Sequence, residues 1–232
     1  MNPGDLPPDV WTGPVTKALT EAVKVAGEFL GKVLNVPATE LGEVFGDRVK
    51  YWRARQAIKL TLRIRDLLAQ SGVEEPCTIP ANVLIPSLEA GSLETDEGMR
   101  ERWAALLANA ADPESTAPVT PAFHRVLSEM TPFEVQVLDW MYEKGFHSDS
   151  LEQFTSTADL EAVKSRFPEA NLDNLTFKVI VSNLCRLGVS EPKHYTQTRA
   201  GGSASVQRYD SIKLTPFGAE FVHACRYRGA AT

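Results

Sequence analysis

Residues 84–112, LIPSLEAGSLETDEGMRERWAALLANAAD, constrain the fold more than any other stretch of this chain. They read as two short helices with a tight joint. Leu84, Ile85, Leu88 and Leu93 give the first an apolar side; Met99, Trp103, Leu106, Leu107 and Ala110 do the same for the second, at spacings near one helical face. Thr95 is placed to cap the second helix, with Asp96 and Glu97 in its first turn, where carboxylates suit the helix dipole. Asp112-Pro113 ends it, because proline cannot continue a helix. Burying each large side chain is worth about 1.5–3 kcal/mol, so this face draws other helices onto it.

Two such partners precede it. From Pro14, the residues Val15, Leu19, Ala22, Val23, Ala26, Leu30, Val33 and Leu34 recur at steps of three and four, with Lys17, Glu21, Lys24, Glu28 and Lys32 between them. That is an amphipathic helix. Gly27 and Gly31, four apart, would admit a second backbone, so a homo-oligomer through this helix is one expectation. Its polar face mixes both signs, which weighs against membrane-surface binding. A longer helix is expected from about Thr39 to Gln70, ended by Ser71-Gly72. It carries Leu41, Phe45, Val49, Trp52, Leu60, Ile64 and Leu67 on one side. It also carries Arg48, Lys50, Arg53, Arg55, Lys59, Arg63 and Arg65 against only Asp47 and Asp66. Arg48, Arg55, Lys59 and Arg63 fall close together at ~100° per residue. They make a candidate stripe for phosphate or an acidic partner. The alternative is a solvated face whose counter-charge comes from Glu94, Asp96 and Glu97.

After a proline-rich loop at 113–121 and a short helix at 122–130, the pattern changes. Thr131-Pro132-Phe133-Glu134 is a capping box with proline at the first helical position. Helices are expected at 132–145, at 158–167 and from about 174 to Leu187, the last burying Leu175, Val179, Ile180, Leu184 and Leu187. Residues 189–195 and 206–214 have strand composition, and Arg199–Ser205 between them is expected to be a flexible, glycine-rich tip. A helix opened by Thr215-Pro216 closes the chain. Three helices, a hairpin and a closing helix follow the winged-helix order. The wing supplies Lys193, Arg199 and Arg208 as candidate nucleic-acid contacts. The third helix offers chiefly Asn174, Lys178, Asn183 and Arg186, which is sparse for a helix that reads a DNA groove.

The fold class expected is therefore mainly α, a helical N-terminal body with a C-terminal winged-helix-like module carrying one β-hairpin. The divisions are a lead-in at 1–13, a helical domain at 14–130, the winged module at 131–228 and a tail at 229–232. At 232 residues, 43% hydrophobic and 23% charged, the composition is that of a soluble globular protein. The net charge of −6 argues against a general nucleic-acid coat. Cys77, Cys185 and Cys225 form no CxxC pair, so reduced thiols in the cytoplasm are expected. No signal peptide pattern is present, and no apolar run reaches the ~20 residues of a transmembrane helix.

Several stretches resemble one family. LEAGSLETDEGMRERWAALLANAADPES, then Pro121-Ala122-Phe123, LSEMTP at 127–132, NLCRLG at 183–188 and LTPFG at 214–218 are similar, in this order, to the Abi-alpha family of bacterial proteins named for abortive infection. The resemblance spans roughly 76–226. It implies a bacterial protein linked to phage defence, and it brings no catalytic residues to carry across. The chain has no GxxxxGK[ST], GxGxxG or GxSxG motif. Its histidines, His124, His147, His194 and His223, lack ligand-like spacing. No enzyme activity, cofactor or metal is expected. A protein partner is expected, with nucleic acid as the alternative.

Overall fold

The computed structural model describes residues 14–34, 50–117, 119–145, 156–199 and 202–227, with backbone alone at 14–20, 23, 34, 50–55, 194–199 and 202–210. The expected lead-in, the expected helix start near Thr39 and the tail lie outside the described residues. The chain is mainly helical, with a small antiparallel sheet of three strands towards the C-terminus. It divides into two compact units: residues 1–116 with 227–232, and residues 117–226.

The first unit holds α1 (Pro14–Leu34), α2 (Lys50–Gln70), α3 (Ala81–Leu93) and α4 (Glu97–Ala111). α2 packs on α1, α3 and α4. Its buried residues Ala57, Leu60, Ile64, Leu67 and Leu68 recur at helical spacing. It ends as its sequence dictates. Gly72 takes φ +76°, its N–H donates to the Ala69 carbonyl at 3.0 Å, and the Val73 N–H donates to that of Leu68 at 2.9 Å. α1 turns Ala26, Phe29, Leu30 and Val33 inward. Trp103, Leu106 and Leu107 of α4 are fully buried.

α3 buries Val83, Leu84, Ser87, Leu88, Gly91 and Ser92 rather than the Leu93 side of the helix; Leu93 is exposed. Small residues win because α3 lies close to its neighbours. A methyl group on Gly91 would sit 2.7 Å from Leu60 Cδ2 and 3.0 Å from Trp103 Cβ. The cap of α4 also differs from expectation. Asp96, not Thr95, accepts the Met99 N–H at 2.9 Å. Glu94 Oε1 instead takes the N–H groups of Thr95 and Asp96, at 2.8 and 2.9 Å, which moves the helix start one residue on. At the other end the buried Asp112 accepts the Tyr227 hydroxyl at 2.9 Å, tying residue 227 to this unit.

The second unit runs α5 (Pro121–Ser128), α6 (Pro132–Gly145), β1 (Thr157–Asp159), α7 (Leu160–Arg166), a 3-10 turn (Pro168–Ala170), α8 (Asn174–Arg186), β2 (Ser190–Arg199), β3 (Gly202–Leu214) and α9 (Pro216–Ala224). Sequence spacing groups α5 with the N-terminal helices. Aromatic packing places it here instead: the Phe123 ring lies 5.3 Å from that of Phe217 and 5.6 Å from that of Phe221. The capping box forms as expected. The Thr131 N–H donates to Glu134 Oε2 at 2.8 Å, and the Glu134 N–H donates to Thr131 Oγ1 at 3.2 Å. Glu134 is buried, and its other oxygen accepts Asn183 Nδ2 at 2.9 Å, which joins α6 to α8.

Three further expectations change. Ala158, expected to start a helix, lies in β1. Asp159 caps α7 by accepting the Ala162 N–H at 2.9 Å. In the stretch Arg199–Ser205, expected as a flexible tip, positions 200 and 201 lie outside the described residues and the others are paired: Thr198 faces Ser203 and Arg199 faces Gly202. The strand order is β1-β3-β2. On α8, Leu175 and Val179 are not buried. The buried set is Phe177, Ile180, Val181 and Leu184.

Candidate partner-binding surfaces

The basic stripe on α2 is partly withdrawn into the fold. Arg48 lies outside the described residues, and Arg55 is described by its backbone alone. Lys59 is exposed. Arg63 Nε donates to both oxygens of Glu101 at 2.9 Å, and its Nη2 lies 2.8 Å from Oε2. That hydrogen bond raises the Arg63 pKa, against the lowering effect of burial. Both side chains keep more than a third of their surface in water, so the pair contributes no more than about 1 kcal/mol. At Arg63 the counter-charge therefore comes from Glu101 of α4. Glu94 and Asp96, the expected donors of it, are occupied at the start of α4.

The outer face of α8 is a different kind of surface. Leu175 is 71% exposed and Val179 61%. They are one turn apart on one face, with Lys178 exposed beside them. Sequence reasoning places both in the core, because α8 carries two overlapping apolar series. The series that runs the length of the helix, Phe177-Ile180-Val181-Leu184, is the buried one. The Leu175-Val179 series gives way to Ser182 and Arg186, and that loss of apolar character one turn on is the signal that marks it as the outer face.

Two of the four polar groups that would serve a groove-reading helix, Arg186 and Asn183, are engaged within the unit, while Asn174 and Lys178 are exposed. Arg186 Nη1 donates to Glu129 Oε2 at 2.6 Å and its Nη2 to Asn183 Oδ1 at 2.7 Å. Asn183 Nδ2 is held by Glu134 and by the Glu129 carbonyl, at 2.9 and 3.2 Å. Asp173 caps α8 by accepting the Thr176 N–H at 2.7 Å. The Thr176 hydroxyl and then its amide hold the Asp173 carboxyl below the usual carboxylate value. A depressed folded-state pKa contributes stability above the ordinary value, and that contribution is lost as pH falls through the folded one. Asp173→Asn, which keeps the cap geometry, should thus match the parent more closely at pH 3 than at pH 7. Urea titrations at the two pH values measure this.

On the hairpin, Lys193 is exposed on β2. The register steps from Pro192↔Ile212 to His194↔Gln207, so Arg208 falls in the irregularity opposite Lys193. Arg199 ends β2, opposite Gly202. The hairpin cations belong to the second unit and the α2 cations to the first.

Reactive chemistry is sparse. Among the described residues no group of three or more His, Cys, Asp or Glu could hold a metal ion. Burial pushes the Cys185 thiol up, against the lowering effect of a hydrogen bond with Ser190, whose Oγ lies 3.6 Å from its Sγ. No described helix is long and apolar enough to cross a membrane.

A family model described as abortive infection alpha matches residues 55–225, from α2 to the end of α9. No curated protein and no solved structure matches the chain. The match covers nearly all of the second compact unit and about half of the first, and the motifs at 84–112, 127–132, 183–188 and 214–218 fall inside it. The chain belongs to the abortive infection alpha family.

Proposed function

We propose that this is a bacterial phage-defence protein of the abortive-infection type, working in the cytoplasm by binding a protein partner rather than by catalysis. Its family supports the defence role. The observation that carries the binding mode is the exposed Leu175–Val179 face of α8. Two large apolar side chains left in water on an ordered helix suit a protein contact, whereas base edges and phosphates call for cations and amides. In this unit Arg186 and Asn183, the groups of that kind towards the end of α8, are hydrogen-bonded to neighbours. The test is phage challenge of cells carrying Leu175→Asp with Val179→Asp. Protection should fall to that of cells without the protein, while the melting temperature of the purified variant stays at the parent value. Full protection by the variant would sink this reading.

A second reading has its own support. The order α6-β1-α7-α8-β2-β3 with a β1-β3-β2 sheet supports reading this unit as a winged-helix module. Lys193, Arg199 and Arg208 would be its phosphate contacts, with Arg48, Arg55, Lys59 and Arg63 as a further stripe. A gel-shift titration with duplex DNA at two salt concentrations separates the two. A DNA-binding regulator must bind and must weaken as salt rises. A protein-binding module should show no retained duplex at either.

A further inference from the structure

We propose that the cleft between α1 and the C-terminal end of α2 is a binding site for a free apolar amino acid, held by both of its charges. The cleft has a volume of about 250 Å³ and lies within the first unit. It is lined by one face of α1, by the last turns of α2 and by the connector that follows α2. Backbone hydrogen bonds fix these walls. After the α2 cap at Gly72 the connector is pinned at two points: the Cys77 N–H donates to the Ala111 carbonyl of α4 at 2.8 Å, and the Ile79 N–H to the Val33 carbonyl of α1 at 3.0 Å. The cleft is therefore preformed, as small-molecule sites usually are.

Its lining combines two chemistries. Phe29 and Leu68 are buried, and Val25, Val73 and Pro76 are half-buried, which offers apolar surface to a side chain of the same kind. The same lining carries two cations, Lys32 and Arg65, and two carboxylates, Glu28 and Glu74. Glu28 and Lys32 have the four-residue spacing of a helical ion pair. Yet the side chains of Glu28, Lys32 and Glu74 take part in no ion pair or hydrogen bond among the described residues. Arg65 Nη2 donates to Asp66 Oδ1 at 3.0 Å, which leaves further donors of the guanidinium to a ligand.

Charge balance and size select the ligand. A nucleotide or other polyanion would meet Glu28 and Glu74, and Asp66 already bonded to Arg65; a polyamine would meet the two cations. The volume falls below the ~300–1,000 Å³ of sites that take drug-sized ligands. A residue inside a peptide carries neither backbone charge. A free amino acid carries one of each sign on the carbon atom that bears its side chain. Its carboxylate suits Lys32 and Arg65, its ammonium suits Glu28 and Glu74, and an apolar side chain suits Phe29 and Leu68. This site belongs to the first unit and stands apart from the α8 face of the second.

The test is isothermal titration calorimetry of the full chain with L-leucine and L-phenylalanine. At least one should bind saturably, with a dissociation constant of about 1 mM or tighter. For the one that binds, the matching acid without the amine, the matching amine without the carboxylate, and the N-acetyl amide that mimics an internal peptide residue should each bind about tenfold more weakly or worse. Lys32→Ala and Glu74→Gln should each weaken binding about tenfold. Ala69→Trp, which puts bulk into the cleft, should abolish it. The melting temperature of each unliganded variant should stay at the parent value, because all three positions are exposed. No saturable binding of either amino acid at about 10 mM overturns the proposal. Equal affinity for the N-acetyl amide or for adenosine monophosphate overturns it too, as does binding that survives Ala69→Trp unchanged.

Discussion

Gly218→Ala should destabilise the second unit by roughly 3–5 kcal/mol, although it adds a single methyl group. Gly218 lies in the first turn of α9. A Cβ built there would overlap the Val189 carbonyl and sit 3.0 Å from Leu214 Cδ1. That carbonyl has no room to retreat. It accepts the Thr215 N–H at 3.1 Å, the Thr215 hydroxyl donates to the Gly188 carbonyl at 2.7 Å, and Thr215 Oγ1 accepts the Gly218 N–H at 2.9 Å. The turn that joins α8 to β2 is thus latched onto the start of α9. Moving it far enough to admit a methyl group breaks these hydrogen bonds while the hydrophobic neighbours Val189 and Leu214 stay buried. Chemical denaturation followed by circular dichroism measures the loss. A change below about 1 kcal/mol would mean that α9 starts elsewhere, since ordinary overpacking alone reaches that size.

Trp103→Ala should cost the first unit about 3–5 kcal/mol, and Leu107→Ala about 2–5 kcal/mol. Both side chains are fully buried on α4, and α4 packs on α2 and α3. Trp103 also lies against Gly91 of α3, at the point where Leu60 of α2 closes in. Truncating the indole opens a space bordered by three helices that cannot all collapse into it, so the upper end of the range is expected there. Leu93→Ala is the matched control: Leu93 is 44% exposed, and the change should cost less than about 1 kcal/mol. Equal losses for Leu93 and Leu107 would show that the buried faces of this helix pair are misassigned.

These predictions separate what could be read early from what could not. The helical class, the end of α2 at Gly72, the capping box at Thr131-Glu134 and the Thr215 cap follow from local chemistry. Each needs only a few neighbouring residues of the right type, and each is present in the structure. Trp103 and Leu107 were legible as core for a similar reason, because no helix face bearing them stays in water. β1 was not legible. Three residues, Thr157–Asp159, are too short to show a period, and only the Ser211–Lys213 edge of β3 makes them a strand. The choice of Asp96 over Thr95 as cap was likewise open until Glu94 engaged the two preceding N–H groups.

The candidate surfaces depended most on tertiary structure. Periodicity on α8 permits either Leu175-Val179 or Phe177-Val181-Leu184 to face inward, and packing on β2 and β3 selects the second. The cations on α2 were plain in the sequence, but Arg63 and Glu101 are 38 positions apart, and only folding shows that the guanidinium is already held. Composition and spacing thus decided that this chain is a mainly helical protein with a glycine-bearing hairpin, because those properties are set by short-range sterics and hydrogen bonding. Which charges remain available to a partner was decided by long-range contacts that no local pattern encodes, and the apolar face of α8 left in water had only the weak local mark of Ser182 and Arg186.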